Sequence, residues 1–158
     1  MTPSRMRSSI VAAVVPALMA AAIVAPSARA SPRHAHRPSP VALRSRMLTF
    51  VNRTRALHHL QPLEINTRLS VEALHHSKRM ARDGALSHTP GLADLIRNEG
   101  GTVFGENLGK GRGLRGIRDA WLRSADTRRI LLDPRFLHVG LGVVHIDGFY
   151  WVTSQAFD

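Results

Sequence analysis

The 158-residue chain contains no cysteine, so its fold does not depend on disulfide bonds. It also lacks the His-Glu-x-x-His pattern of a zinc-binding protease helix and the Gly-x-Ser-x-Gly turn that presents a serine nucleophile. These two absences count against a metalloprotease of that type and against an α/β-hydrolase. No internal repeat is present, which excludes a solenoid or propeller architecture.

Long apolar runs are missing after the N-terminus. Residues 10–25 are almost entirely Ala, Val, Ile, Leu and Met, they follow Arg5 and Arg7, and residues 28–30 (Ala-Arg-Ala) match a signal-peptidase site. We therefore predict a signal peptide at residues 1–30. An uncleaved membrane anchor is less favoured, because a spanning helix needs roughly 20 apolar residues.

The remainder of the chain is predicted to be secreted, extracellular or associated with the cell envelope. Residues 31–43 are rich in Pro, Arg and His and are predicted to form a tether. Residues 44–158 are predicted to form one domain, since about 115 residues bury roughly two thirds of their unfolded surface and supply one core. The sequence does not indicate an oligomeric state.

Acidic residues are scarce, with 11 Asp and Glu against 22 Lys and Arg and a net charge of +11. Residues 1–30 hold three arginines and no acid, so the rest of the chain carries +8. A positive charge of this size predicts attraction to an anionic cell-envelope polymer or an acidic lipid. The alternative explanation of the charge is a solvated, arginine-rich helix face. No nucleic-acid partner is predicted, because the few aromatic side chains are mostly accounted for by the core rather than by exposed stacking.

Hydrophobic periodicity predicts an α+β fold. Helical spacing is found at about residues 41–59, 66–84, 90–99 and 114–124, with one further turn near residue 130. Strands are predicted at residues 102–108, 138–145 and 149–157, the last two joined by Asp147 and Gly148 in a tight turn. Residues 110–113 (Lys-Gly-Arg-Gly) are interpreted as a mobile basic loop. Helices followed by a hairpin favour an antiparallel sheet with helices packed on it.

Eight short segments, in order along the chain, resemble the CAP superfamily (SCP domains), which includes cysteine-rich secretory proteins, antigen 5 and pathogenesis-related proteins. The similarity is greatest to its short, disulfide-free bacterial branch. The resemblance implies a three-layer α-β-α sandwich with a central antiparallel sheet and a large cleft. The segments are residues 51–55, 69–81, 87–88, 105–108, 120–121, 133–136, 138–143 and 150–152.

The resemblance also implies which residues line the cleft, where the family often places two histidines and two glutamates. His88 corresponds to the first histidine and Glu106 to the first glutamate, whereas Ser124 and Thr127 stand where the second glutamate and second histidine are expected. Asp126 is a further candidate if its side chain turns inward. We expect His88 and Glu106 to face each other across a groove covered by the helix that carries the first tryptophan.

Several roles remain open for this cleft. His88 and Glu106 are candidate metal ligands, but a catalytic zinc site typically has three protein ligands, so no cofactor is predicted and zinc is the alternative. A buried Glu106 could instead lock a turn by accepting backbone hydrogen bonds. A peptide or ester hydrolase using Ser124 is less favoured than a module that binds a small apolar, lipid or glycan ligand. We therefore predict an extracellular binding or interaction module rather than an enzyme.

Overall fold

The structure is a computed structural model that describes residues 38–158. The predicted signal peptide and residues 31–37 of the predicted tether lie outside the described residues. Within the described part, no helix combines the length and apolar character needed to span a membrane. The elements in chain order are α1 (Pro40–Leu57), β1 (Glu64–Ile65), α2 (Thr67–Asp83), α3 (Leu92–Asn98), β2 (Phe104–Gly111), α4 (Leu114–Arg123), α5 (Ala125–Leu131), β3 (His138–Ile146) and β4 (Phe149–Phe157).

The first helix begins inside the segment predicted to be a tether. Ser39 accepts a hydrogen bond from the backbone N–H of Ala42, and Pro40 occupies the first helical position, where its missing N–H costs nothing. Leu43 is buried in the core. Residues 40–43 therefore belong to the domain, and the predicted boundary at residue 43 is too late.

The sheet has strand order β1-β3-β4-β2. Strand β4 pairs antiparallel with both β3 and β2, and the β3–β4 turn is made by Asp147 and Gly148, both at positive φ as a tight hairpin requires. The two-residue strand β1 pairs parallel with β3 and was not predicted. The central sheet is thus antiparallel apart from this short edge strand.

Helices cover both faces of the sheet, which gives the predicted three-layer α-β-α sandwich. Helices α1, α4 and α5 pack on one face, where side chains such as Met47, Trp121 and Val143 form the main core. Helices α2 and α3 pack on the other face, together with Phe157. Because successive strand residues point to opposite faces, each strand contributes alternate side chains to the two layers.

A buried arginine joins α1 to the segment before β3. The guanidinium of Arg55 is fully buried and donates hydrogen bonds to the backbone carbonyls of Gln61, Leu131, Asp133 and Phe136 at 2.8–3.0 Å. Its burial lowers the pKa of Arg55. An arginine suits this role because its planar fork carries five donors in fixed directions.

Two boundaries differ from the prediction for identifiable reasons. Strand β2 continues through Lys110 and Gly111, which pair with Trp151 and Tyr150 of β4, so half of the predicted basic loop is strand. Helix α3 begins only at Leu92, because the side chain of Thr89 hydrogen-bonds to Glu106 rather than capping the helix.

Candidate functional site

His88 and Glu106 lie in direct contact. His88 follows the end of α2 in a loop that leaves the helix through Gly84, which adopts the left-handed conformation typical of a helix C-terminus. Glu106 is the third residue of β2. The Nδ1 atom of His88 lies 2.7 Å from Oε2 of Glu106. The imidazole is 78% exposed whereas the carboxylate is only 2% exposed, so a buried anion holds an exposed ring.

The Glu106 carboxylate is held from several sides. Oε1 accepts hydrogen bonds from the Thr89 hydroxyl at 2.5 Å and from Nε2 of Gln155 at 3.0 Å. Oε2 accepts the backbone N–H of Thr89 at 3.0 Å in addition to the His88 contact. Gln155 lies directly opposite Glu106 in the β2–β4 ladder and therefore shares its face of the sheet. These contacts connect the loop after α2 to two strands.

This environment determines the charge of Glu106. Burial alone raises the pKa of a carboxyl group, but the hydrogen bonds from Thr89, Gln155 and His88 outweigh burial and leave the pKa of Glu106 below its ordinary value of 4.5. Glu106 is therefore ionised at neutral pH. The carboxylate costs little free energy in the interior because its oxygens are hydrogen-bonded.

The charge of Glu106 fixes the tautomer of its partner. An ionised carboxylate only accepts hydrogen bonds, so Nδ1 of His88 is the donor in their contact. When the imidazole is neutral, this contact places its lone pair on Nε2, on the ring edge away from Glu106. The pair consequently presents a hydrogen-bond acceptor to solvent in a fixed orientation.

The other predicted cleft residues have different contacts. Thr127 donates its hydroxyl to the carbonyl of Trp121 at 2.8 Å, and its own carbonyl accepts from Nδ2 of Asn107 at 2.9 Å. Asn107 follows Glu106 in β2, so the two side chains point to opposite faces of the sheet. Thr127 therefore lies on the α4–α5 side, away from the contacts of Glu106.

Ser124 and Asp126 also belong to the α4–α5 side. Ser124 lies between the two helices, and its backbone carbonyl accepts from the N–H of Arg128. The carboxylate of Asp126 is exposed and pairs with Arg129 at 3.2 Å. Of the five predicted cleft residues, His88 and Glu106 contact each other directly, whereas the polar contacts of Ser124, Asp126 and Thr127 are with α4, α5 and Asn107. Trp121 of α4 packs in the main core against the Gly109 position, on the face of β2 opposite to the side chain of Glu106.

The residues present do not fit a zinc ion. Within residues 38–158, no group of three or more His, Cys, Asp or Glu side chains is arranged to hold a metal. Both oxygens of Glu106 are engaged by protein donors, which leaves Nε2 of His88 as the free ligand atom at this site. Three protein ligands are the usual minimum for a catalytic zinc site.

Comparison with known proteins agrees with this architecture. Residues 48–157 match the Cysteine-rich secretory protein family, CAP. The chain belongs to the CAP family. YkwD of Bacillus subtilis is 32% identical to this CAP protein over 126 residues, which cover 75% of this chain and 48% of YkwD. The chain therefore spans about half the length of this relative.

Solved structures of other bacterial proteins share the fold. An extracellular protein containing an SCP domain from Bacillus anthracis superposes with a TM-score of 0.61 at 26% identity, covering 75% of this chain and 41% of that one. An outer surface protein from Borrelia burgdorferi gives a TM-score of 0.64 at 17% identity, covering 72% and 90%. The second likeness concerns the fold alone.

Two site residues of this CAP domain were not anticipated from the sequence. Thr89 precedes Pro90, a pattern typical of a helix start, so the sequence alone favours a capping role for it. The sequence pattern places Gln155 in the strand predicted at residues 149–157 and assigns it no partner. Gln155 is buried, and a buried polar side chain requires a hydrogen-bond partner, which Glu106 and Thr89 supply.

Proposed function

We propose that this CAP protein is an extracellular binding module for a hydroxyl-bearing, anionic component of the cell envelope. The observation that carries the proposal is the pairing of an exposed His88 with a buried, ionised Glu106. The carboxylate fixes the ring so that Nε2 accepts a hydrogen bond from a ligand hydroxyl, as in a glycan or polyol. In this role Glu106 positions the histidine and does not itself touch the ligand.

The relatives support an extracellular location. The Bacillus anthracis structure is described as an extracellular protein and the Borrelia burgdorferi structure as an outer surface protein. The predicted signal peptide at residues 1–30 is consistent with export of this chain. We therefore place its ligand outside the cytoplasm, among the polymers and lipids of the envelope.

The charge of the chain supports an anionic partner. The segment after residue 30 carries +8. A cationic surface attracts anionic polymers over distances of about one Debye length, roughly 8 Å at physiological salt. Electrostatic attraction brings the partner to the surface, and the His88 contact selects for a hydroxyl group.

The geometry favours binding over hydrolysis. A serine hydrolase requires its nucleophile in hydrogen-bond contact with the histidine. Ser124 belongs to the α4–α5 side of the sheet, whereas the imidazole of His88 lies with the contacts of Glu106 on the α2–α3 side. The proposed function therefore contains no chemical step.

The proposal is tested by titrating the protein with a soluble poly(glycerol phosphate) in a calorimeter. Replacement His88→Ala removes the acceptor and should weaken binding about three- to tenfold, the value of one hydrogen bond. His75→Ala is the matched control, because His75 is an exposed histidine on α2. Equal affinities of wild type and His88→Ala would refute the proposed contact.

A further inference from the structure

A second surface of the protein has the features of an anion site. A cavity of about 290 Å³ lies where α1, the end of β2 and the start of α4 meet. We infer that this cavity binds a phosphate ester of a water-soluble polyol. Its lining consists of three arginines, two aromatic side chains and the residues that begin α4, namely Arg46, Phe50, Arg112, Gly113, Leu114, Arg115 and Tyr150.

The cavity is cationic without local compensation. Arg46, Arg112 and Arg115 are all exposed, and no acidic residue is among the lining residues. The ion pairs found among residues 38–158 involve none of these three arginines. Three like charges around one cavity repel each other, and an anion placed between them relieves this repulsion.

Aromatic rings hold two of the guanidinium groups in place. The guanidinium of Arg115 lies 5.9 Å from the centre of the Phe50 ring, and that of Arg112 lies 5.0 Å from the Phe149 ring. Cation–π contacts of this kind restrict the side chains without occupying their N–H donors. The donors therefore remain available to a ligand.

The arrangement suits phosphate better than carboxylate. The three arginines belong to α1, to the link after β2 and to α4, so cationic residues line the cavity from three segments of the chain. The Arg112 guanidinium lies over Phe149, which is next to the lining residue Tyr150. A carboxylate is planar and one guanidinium fork satisfies it, whereas a tetrahedral phosphate presents oxygens on several sides. The aromatic rings of Phe50 and Tyr150 add an apolar wall against which the carbon skeleton of a small polyol packs.

The surroundings favour a soluble ligand over a membrane. The exposed large hydrophobic side chains of the described residues do not line this cavity, so no apolar anchor accompanies the three arginines. A surface that docks on a bilayer usually combines cationic groups with apolar side chains that insert. Phospholipid vesicles are accordingly an outcome of the test and not the proposed ligand.

The cavity is separate from the His88–Glu106 site. Along β2, Glu106 and Gly111 are five residues apart, about 17 Å at the usual rise of a strand. Glu106 also points to the α2–α3 face, whereas Tyr150 and Gly111 point to the α1–α4 face. The inference extends the proposed function, because a polyol-phosphate polymer offers hydroxyls to one site and phosphates to the other.

The first experiment uses sn-glycerol 3-phosphate as the probe and the whole secreted chain. Arginine side-chain Nε resonances are followed by NMR during the titration. Each of Arg112→Gln and Arg115→Gln should weaken binding about tenfold, the value of one charge-assisted contact. Glycerol without phosphate should give no response. Saturable binding that both replacements leave unchanged would overturn the inference, as would absence of binding.

The control separates local contacts from total charge. Arg123→Gln combined with Arg128→Gln removes two exposed positive charges outside the cavity, and it should reduce affinity less than twofold at physiological salt. An equal loss for Arg112→Gln with Arg115→Gln and for this control would show that only net charge matters. All these side chains are exposed, so the variants should unfold at the same temperature as wild type.

Further titrations identify the source of the phosphate and keep the two proposals distinguishable. Poly(glycerol phosphate) should bind through both sites, and poly-glutamate of equal charge should bind at least tenfold more weakly. Tighter binding to phosphatidylglycerol vesicles than to the soluble polymer would overturn the choice of a soluble ligand. If glycerol 3-phosphate binds at the arginines but His88→Ala binds the polymer like wild type, the proposed function fails and the cavity inference stands.

Discussion

At the scale of single residues, the site depends on the ionisation of Glu106. Its pKa is lower in the folded protein than in the unfolded chain. The ionised carboxylate therefore stabilises the folded state relative to the unfolded chain. This contribution is complete above the unfolded pKa of about 4.5 and is lost as the pH falls through the lower folded value. Acidification therefore weakens the connection of the loop after α2 to the sheet.

Replacement Glu106→Gln tests this dependence. The variant should lose about 2–4 kcal/mol of unfolding free energy at neutral pH, because several hydrogen bonds to a buried charge are weakened or left unpaired. Its stability should also fall less steeply than that of wild type below about pH 4.5. Urea unfolding followed by tryptophan fluorescence measures both quantities.

The control for this measurement is Asp126→Asn, which removes an exposed carboxylate of the α4–α5 side. Exposed ion pairs contribute at most about 1 kcal/mol, so this variant should follow the wild-type pH profile closely. A Glu106→Gln protein as stable as wild type at neutral pH would contradict the structural part of the account.

At the scale of elements, the close packing of α2 on β3 depends on glycine. A Cβ at Gly142 would lie 2.2 Å from backbone atoms of Ala73, and a backbone cannot give way as a flexible side chain does. A Cβ at Gly140 would lie 2.3 Å from the side chain of Leu69, which is also on α2. These two glycines allow the helix to approach the sheet, and the helix in turn leads directly into the loop that carries His88.

Replacement Gly142→Ala should therefore destabilise the protein by about 3 kcal/mol, at the upper end of overpacking effects. Gly116→Ala is the control, since that position on α4 is open and alanine favours a helix by roughly 0.5–1 kcal/mol. Thermal unfolding by circular dichroism compares the two. Equal melting temperatures for both variants would show that α2 does not lie as close to β3 as the structure indicates.

The helices and long strands were predictable at this scale, because apolar periodicity and the Asp147–Gly148 turn are local signals. Strand β1 was not predictable, because two residues are too few to show the alternation of apolar and polar side chains that marks a strand. The start of α3 was misplaced because Thr89 has a partner distant in sequence, Glu106. Helix-capping patterns depend on hydrogen bonds between a side chain and nearby backbone groups. They carry no information about a hydrogen bond to a residue distant in sequence.

At the scale of the whole molecule, the candidate site was only partly predictable from the sequence. The pairing of His88 with Glu106 was expected from the family resemblance. Ser124, Asp126 and Thr127 were expected at the same cleft, but the periodicity of a helix does not say which face of a sheet it covers. The placement of α4 and α5 on the face of Asn107, rather than that of Glu106, is a tertiary result.

The same scale shows how the two proposed sites would serve one ligand. One site lies at the start of β2 on the α2–α3 face and the other beyond its end on the α1–α4 face. On this proposal, a chain-like ligand that carries both hydroxyls and phosphates would contact one site with each group. Simultaneous engagement of two weak sites raises the overall affinity through effective concentration.

The most direct test of the account is the tautomer of His88, observed by ¹⁵N NMR under alkaline conditions in which imidazoles are neutral. We predict a proton on Nδ1, a bare Nε2, and a change in the Nε2 chemical shift when poly(glycerol phosphate) is added. A ring protonated on Nε2, or an Nε2 shift that the polymer leaves unchanged, would contradict this prediction.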